Sequence, residues 1–339
     1  MGIRSVGPLA TALLLFAAAA CRSQGASTGG SGAQAQATPL TKFTVSYIGA
    51  EPAALPILIA QDAGIFRKHG LDVDLQVIAG APSIAALVSG QTQSATGGSS
   101  DILGAAVSGA QPVVLAVLDA SFPGQLYASP KIKTPADLKG KKVAVSNPGS
   151  SFDVVARESL PKMGLQPDKD VTIIATGSVT NAVTALLNGA VDASPVQTGP
   201  DSVKLDVAGF HPIYDMSDVK SAGDAVTVMR PYLSSHRDVV QRYIDALVEA
   251  DARERHDKAF TTQVIQKRMD LSDATTQNTI YDFFTKPAIL PPQPYPTLDQ
   301  FALPLAQLAS KNDNAKGFDV TKILDPSFVK SAVDRGLDK

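Results

Sequence analysis

The stretch that most restricts this chain is one that it contains twice. "ALVSGQTQSATGGSSDILGAAVSGAQPVV" (residues 86–114) and "ALLNGAVDASPVQTGPDSVKLDVAGFHPIY" (residues 185–214) pass through the same order of events. Leu87 and Gly90 correspond to Leu186 and Gly189. After one inserted residue, Asp101, Gly109 and Pro112 correspond to Asp201, Gly209 and Pro212. Upstream, "FTVSYIG" pairs with "KVAVSNPG", and "KHGLDVDLQVIAG" with "KMGLQPDKDVTIIATG". Each copy reads strand, loop, helix, Gly-Leu, strand, Gly, helix ending in Gly, short strand, polar loop, helix, strand. Self-similarity of this kind fixes architecture, and strands alternating with helices imply parallel or mixed sheets covered on both faces. The expectation is two similar α/β lobes.

The second copy ends well before the chain does. Residues 42–129 make the first unit and residues 130–222 the second, and a long helical tail follows. Val239, Val240, Tyr243, Ile244, Leu247 and Val248 recur there at helical spacing, so that face must be covered. The first lobe offers the simplest cover, reached by a second crossover strand. Lobe 1 is then 42–129 plus 223–339 and lobe 2 is 130–222. The crossover strands are placed near Gly124–Ala128 and Ala225–Met229, a double connection that permits hinge bending.

Composition limits function mainly by exclusion. A net charge of -2 and a pI near 6.1 leave no basic footprint for nucleic acid or an anionic membrane surface. At the N-terminus, Arg4 precedes "VGPLATALLLFAAAA", an apolar run too short for a comfortable membrane span, and small residues follow up to Cys21. This reads as an export signal over residues 1–21. Cys21 is the only cysteine, so it cannot form an internal disulfide. "AAAAC" resembles a bacterial lipobox, which implies that Cys21 is lipidated and anchors the exported chain to a membrane. Ala18 stands where such boxes more often carry leucine, and a chance cysteine in a plain secretory signal is the alternative. Residues 22–41 are mostly Gly, Ser, Ala, Gln and Thr, with almost no large apolar side chain, and suit a flexible linker.

In an open α/β sheet, ligands gather beyond the carboxyl ends of the strands, where loops enter helices. Both copies carry small polar residues there: "IGAEPAA", "AGAPS" and "GGSSD" in the first, "SNPGSSF", "TGSVT" and "VQTGPD" in the second. Glycine admits a ligand close to the backbone, hydroxyls donate hydrogen bonds, and helix starts offer unpaired N–H groups. Helix capping explains the same residues, and Ser150 with Asp153 fits an N-cap pair. Repetition at matching places in both lobes is what favours a closable binding cleft.

"AQDAGIFRKHGLDVDLQ", "TPADLKGKKVAVSNPGSSFD" and "AVTALLNGAVDAS" resemble the solute-binding proteins of ABC importers that take up nitrate, sulfonates such as taurine, and thiamine-precursor pyrimidines. The resemblance covers about Lys42 to Leu247. It implies a two-lobed type II periplasmic-binding fold, with mixed sheets flanked by helices, a small solute clamped between the lobes, and delivery to a membrane permease. Carried over by position, the ligand loops are Ala50 and Glu51, Gly80 and Ala81, Ser99 and Ser100, Gly149, Ser150, Ser151 and Phe152, Gly177 and Ser178, and Gln197 with Thr198. Gly149 and the two serines after it are expected to donate to the solute.

These loops hold no Arg or Lys, while Glu51 and Asp101 stand beside them, so a buried anion would meet repulsion. That ranks a small polar organic solute (sulfonate-, amine- or pyrimidine-like) above an inorganic oxyanion, with Phe152 and Tyr47 as stacking faces. Glu51 also fits a solvated loop charge or a helix-start carboxylate. No G-x-S-x-G, P-loop, H-E-x-x-H or C-x-x-C motif occurs, and His69, His211, His236 and His256 are scattered, so no catalytic or metal-binding residue is assigned and no cofactor is expected. A pyrimidine-metabolising enzyme on the same fold and a ligand sensor without transport are the competing readings. The protein is expected to act as a monomer.

Overall fold

A computed structural model describes residues 39–78 and 80–339. The export signal, Cys21 and all but the end of the linker lie outside the described residues.

The first copy of the repeat gives β1 (Thr41–Tyr47), α1 (Leu55–Asp62), α2 (Ile65–Lys68), β2 (Leu71–Val77), α3 (Ala81–Ser89), β3 (Ser94–Gly97), α4 (Ser99–Val107) and β4 (Pro112–Val117). The chain then enters β5 (Gly124–Ala128). The second copy gives β6 (Lys142–Val145), α5 (Ser151–Lys162), β7 (Thr172–Ala175), α6 (Val179–Leu187), β8 (Ala193–Gln197), α7 (Pro200–Val207) and β9 (His211–Asp215). After it come β10 (Ala225–Met229), α8 (Arg230–Ser235), α9 (Arg237–His256), α10 (Lys258–Met269), α11 (Ala274–Phe284), α12 (Asp299–Lys311) and α13 (Ser327–Asp334).

The two sheets have the same plan. One runs β2-β1-β3-β10-β4 and the other β7-β6-β8-β5-β9. In each, the repeat supplies the parallel strands, and the fourth position is an antiparallel strand that arrives from the other lobe. β10 pairs with β3 and β4, while β5 pairs with β8 and β9. The crossovers therefore differ from those expected. Gly124–Ala128 and Ala225–Met229 are full sheet members, and the chain passes between lobes just before each, over residues 118–123 and 216–224. The boundary drawn at residue 129 moves back accordingly, because β5 satisfies its backbone groups on both sides within the second sheet.

Each sheet is covered on both faces. On one side of the first sheet, Phe43 and Val45 pack with Leu55, Leu58 and Ile59 of α1 and with Tyr243, Ile244 and Leu247 of α9. The Tyr243 ring lies 4.7 Å from that of Phe43 and 5.7 Å from that of Phe66. On the other side, Ile84, Leu87, Ile102 and Leu103 pack with Phe301 of α12. β4 is an edge strand, yet every residue in it is buried. The tail covers it, Val114 bridging Leu324 and its carbonyl accepting from the Asp325 N–H at 3.0 Å, which blunts an edge otherwise open to other strands.

α12 departs from the two-lobe division. Phe301, Leu305 and Leu308 join the core of the first lobe, while Leu303 packs into the second with Phe122 and Phe152. Lys286 also reaches Asp215 of β9 at 3.8 Å. The tail thus ties the lobes together a third time.

Gly124 opens β5 where the crossover enters the second sheet. A Cβ there would collide with the Val196 carbonyl oxygen and stand 2.7 Å from the Phe122 ring. Backbone cannot yield as a flexible side chain can, so Gly124→Ala is expected to lower stability by about 1–3 kcal/mol in denaturant unfolding, the usual effect of overpacking.

Candidate functional site

The two crossovers hydrogen-bond to each other as an antiparallel ribbon. The Leu118 N–H donates to the Asp224 carbonyl (3.0 Å), Gly223 N–H to Asp119 (3.1 Å), Ser221 N–H to Ala120 (3.3 Å), and Phe122 N–H to Val219 (3.0 Å). Above this ribbon the strand ends of both sheets enclose a cavity of about 530 Å³. Ser99 and Ser100 reach it from the first lobe, Ser150, Ser151 and Gln197 from the second, and Leu303 and Pro304 of α12 from the tail.

The Gly149-Ser150-Ser151 turn works first as a cap. Ser150 is the N-cap of α5, its Oγ accepting from the Asp153 N–H at 3.3 Å and from the Ser146 hydroxyl at 2.9 Å. Asp153 reaches back so that the Gly149 N–H donates to its Oδ2 at 2.7 Å, and Arg157 holds the other carboxylate oxygen at 2.7 Å. Gly149 has φ +80°, the left-handed region open to glycine. Its N–H is therefore committed within the turn, and the donation to solute expected of Gly149 does not stand. The Ser150 hydroxyl proton and the exposed Ser151 face the cavity without such a commitment.

Gly80, Ser99, Ser100, Gly149, Ser150, Ser151 and Gln197 come together around this one space. Ala50 and Glu51 do not line it, although the neighbouring Ala53 does, and the Glu51 charge is near enough to raise Asp224. Ala81 faces a second, more open pocket between α3 and α4. Phe152 is turned inward, its ring edge-on to Phe122 at 5.3 Å in the second-lobe core, and Tyr47 is buried in the first-lobe core, so neither offers a stacking face to the cavity. Gly177 is occupied on both sides, its N–H donating to Ser146 at 2.7 Å and its carbonyl accepting from Asn147 at 3.2 Å. Ser178 caps α6, accepting from the Asn181 N–H at 3.1 Å. Thr198 is buried beside the ribbon, where its N–H donates to Pro123 at 3.0 Å.

Sequence reasoning missed the floor. Asp119 and Asp224 both line the cavity and are only 3% and 1% exposed. Burial, then the nearby Asp224, Glu254 and Asp251 charges, holds the Asp119 carboxyl well above its ordinary value. Burial followed by the Glu51 charge pushes Asp224 up to about 7. Glu51 keeps contact with solvent, yet the surrounding wall raises it too, and burial does the same to Asp101. Behind the floor, on α9, burial lifts Asp251 to about 7 despite its bond to Arg255, and Glu254 lies well above its ordinary value for the same first cause. The available signal is the acidic residue that breaks the apolar run "VVLAVLDA" just beyond β4, where a carboxylate has no solvent to face. Among the described residues no three His, Cys, Asp or Glu side chains form a metal-holding group.

Comparison with known proteins follows the same outline. The NMT1/THI5-like family matches residues 51–252. Relatives in Brucella abortus, named as putative binding proteins, are 30% identical over 204 residues, 57% of this chain; the chain spans about 60% of their length. Among solved structures, the periplasmic aliphatic sulphonate binding protein SsuA of Escherichia coli superposes with a TM-score of 0.69 at 23% identity, over 83% of this chain and 91% of that one. The periplasmic nitrate-binding protein NrtA of Synechocystis PCC 6803 gives 0.68 at 17%, over 88% and 89%. At these identities the likeness shows the fold. No helix among the described residues is long and apolar enough to cross a membrane.

The raised carboxyls make stability depend on pH in a defined direction. Unfolded, Asp119, Asp224 and Asp251 ionise near 3.8; folded, Asp224 and Asp251 hold their protons to about 7. Folding binds protons in between, so their contribution is whole below the lower value and is lost as pH rises through the upper one. For Asp62 and Glu249 burial pulls upward but the basic partners together outweigh it, so these lowered carboxyls act only at the acid end. The thermal midpoint is expected to fall between about pH 5 and pH 8, and Asp224→Asn to flatten that fall in a melting series across pH.

Proposed function

Because this chain belongs to the NMT1/THI5-like family, we propose that it is the solute-binding component of an ABC importer. It captures a small polar organic solute between its lobes and delivers it to a membrane permease. One observation carries the reading: a partly open cavity of about 530 Å³ that both lobes wall and the crossover ribbon floors. Its size and its mix of apolar walls with a few converging polar groups suit a small molecule. The family match and the solute-binding names of its relatives and fold neighbours support the same role, and they favour a binding protein over an enzyme.

Closure follows from the ribbon. Bending at residues 118–123 and 216–224 swings one sheet toward the other, and a solute touching both lobes shifts the population toward the closed form that a permease recognises. In this reading Ser99 and Ser100 act from the first lobe, and Ser150, Ser151 and Gln197 from the second. The chain works as an exported monomer, with lipidated Cys21 as its membrane anchor on the periplasmic or extracellular side.

The test is a thermal-shift screen of the full chain against sulfonates, nitrate, pyrimidines, amines and aromatic acids. A true ligand at a hundredfold excess over Kd adds about 2.7 kcal/mol to stability. Product formation from any of them would instead favour an enzyme. For the hit, Ser150→Ala combined with Ser151→Ala is expected to weaken binding by roughly 1–3 kcal/mol in calorimetry. The same change removes the α5 cap and lowers stability by about 1 kcal/mol, so affinity is to be read where the variant remains folded.

A further inference from the structure

We propose that the solute held in this cavity carries an organic ammonium group, seated against the Asp119 and Asp224 carboxylates on the cavity floor. The proposal rests on the solute-binding reading above and specifies the chemistry of its ligand.

Asp119 and Asp224 stand on facing strands of the ribbon, each next to a backbone hydrogen bond that joins them. Packing there is close: a Cβ on Gly223 would lie 3.1 Å from that of Asp119. Both side chains are at least nine-tenths buried and both line the cavity. Asp224 Oδ2 has no hydrogen-bond partner among the described residues, and neither carboxylate takes part in an ion pair among them. A buried carboxylate without donor or counter-charge is disfavoured by several kcal/mol per ion, and two together add mutual repulsion. The rest of the surroundings deepen the deficit. Asp101 lines the same cavity, the Glu51 charge acts on Asp224, and of the acidic pair behind the floor only Asp251 bonds Arg255, leaving Glu254 Oε2 unpartnered among the described residues. The basic groups in reach are Lys220 on the ribbon and Lys311 beside Gly149, both exposed to solvent.

An ammonium head supplies what this floor lacks, a positive charge with N–H donors directed at unpartnered oxygens. A sulfonate or nitrate head finds no counter-charge on the floor, and the cavity wall contains no arginine to hold it, its basic lining residue being the solvent-exposed Lys220. A bare divalent cation lacks a third acidic or imidazole ligand in metal-holding geometry among the described residues. Phe122, Val154, Val219, Leu303 and Pro304 offer the hydrocarbon body of the solute an apolar wall.

Isothermal titration of the full chain decides the matter with probes of matched shape and different charge. Butylammonium, cyclohexylammonium and benzylammonium are compared with butanesulfonate and phenylmethanesulfonate, with butanol and benzyl alcohol, and with magnesium and zinc chlorides. At least one ammonium probe is expected to bind, the sulfonates not to bind, and Asp119→Asn or Asp224→Asn to weaken the ammonium probe on the order of tenfold or more. The charge series on the unaltered chain stands even where a variant folds poorly. Binding of a sulfonate or an alcohol while all ammonium probes stay silent overturns the proposal, and sensitivity of that binding to Ser150→Ala with Ser151→Ala leaves the solute-binding reading in place. Ammonium binding unchanged in both Asn variants overturns the floor assignment, as does a metal ion whose binding both variants abolish. Silence from every organic probe overturns the proposal, and the broader solute-binding reading is then decided by the wider thermal-shift screen.

Discussion

The organisation of this molecule depends on one backbone constraint: each sheet is completed by a strand that the other lobe sends across. β5 and β10 occupy equivalent fourth positions, and neither sheet closes its hydrogen-bond ladder without the exchanged strand. Because the exchange is mutual, the two crossing segments must run side by side in opposite directions. They pair there through Leu118, Gly223, Ser221 and Phe122. A hinge built this way is two-stranded and internally bonded, so it favours bending along one axis and resists twisting. The same pairing sets Asp119 opposite Gly223 and Asp224, which makes the acidic floor a direct product of the topology.

Around that floor the site divides its labour. Small hydroxyl residues form the rim, and several are already engaged in keeping helix starts in order. Ser150 illustrates the overlap, since its oxygen serves the Asp153 N–H and its proton remains for a guest. Carboxylates form the base, where burial and proximity keep them reluctant to ionise. Rim and base therefore ask different things of a solute: neutral hydrogen-bond acceptors or donors at one end, positive charge at the other.

Much of the fold was legible because the repeat records local events twice. The pairing of "FTVSYIG" with "KVAVSNPG" becomes β1 and β6, both second in their sheets, and the Gly-Leu strands become β2 and β7 at matching edges. Repetition does not say which sheet a strand will join when it lies between copies, and so Gly124–Ala128 was read as a connector. The polar loops gather around one cavity as a group and unevenly as individuals. Capping and binding draw on the same residue types, and only the direction of the side chain separates Ser150 from Ser178 or explains why Phe152 turns to Phe122. Asp119 and Asp224 escaped notice because a sequence weighs charges by neighbours in the chain, whereas these two meet across more than a hundred residues.

α12 alters how the site would diversify. Leu303 and Pro304 form part of the cavity wall, yet they lie beyond residue 252, where the match to the family stops. The rim comes from the two repeat copies and the floor from the crossover segments, while this panel comes from a helix outside both. Exchanging a leucine or proline on a single surface helix would reshape the space above the carboxylates without disturbing strand exchange or caps. The shape of the cavity could thus change from outside the duplicated framework.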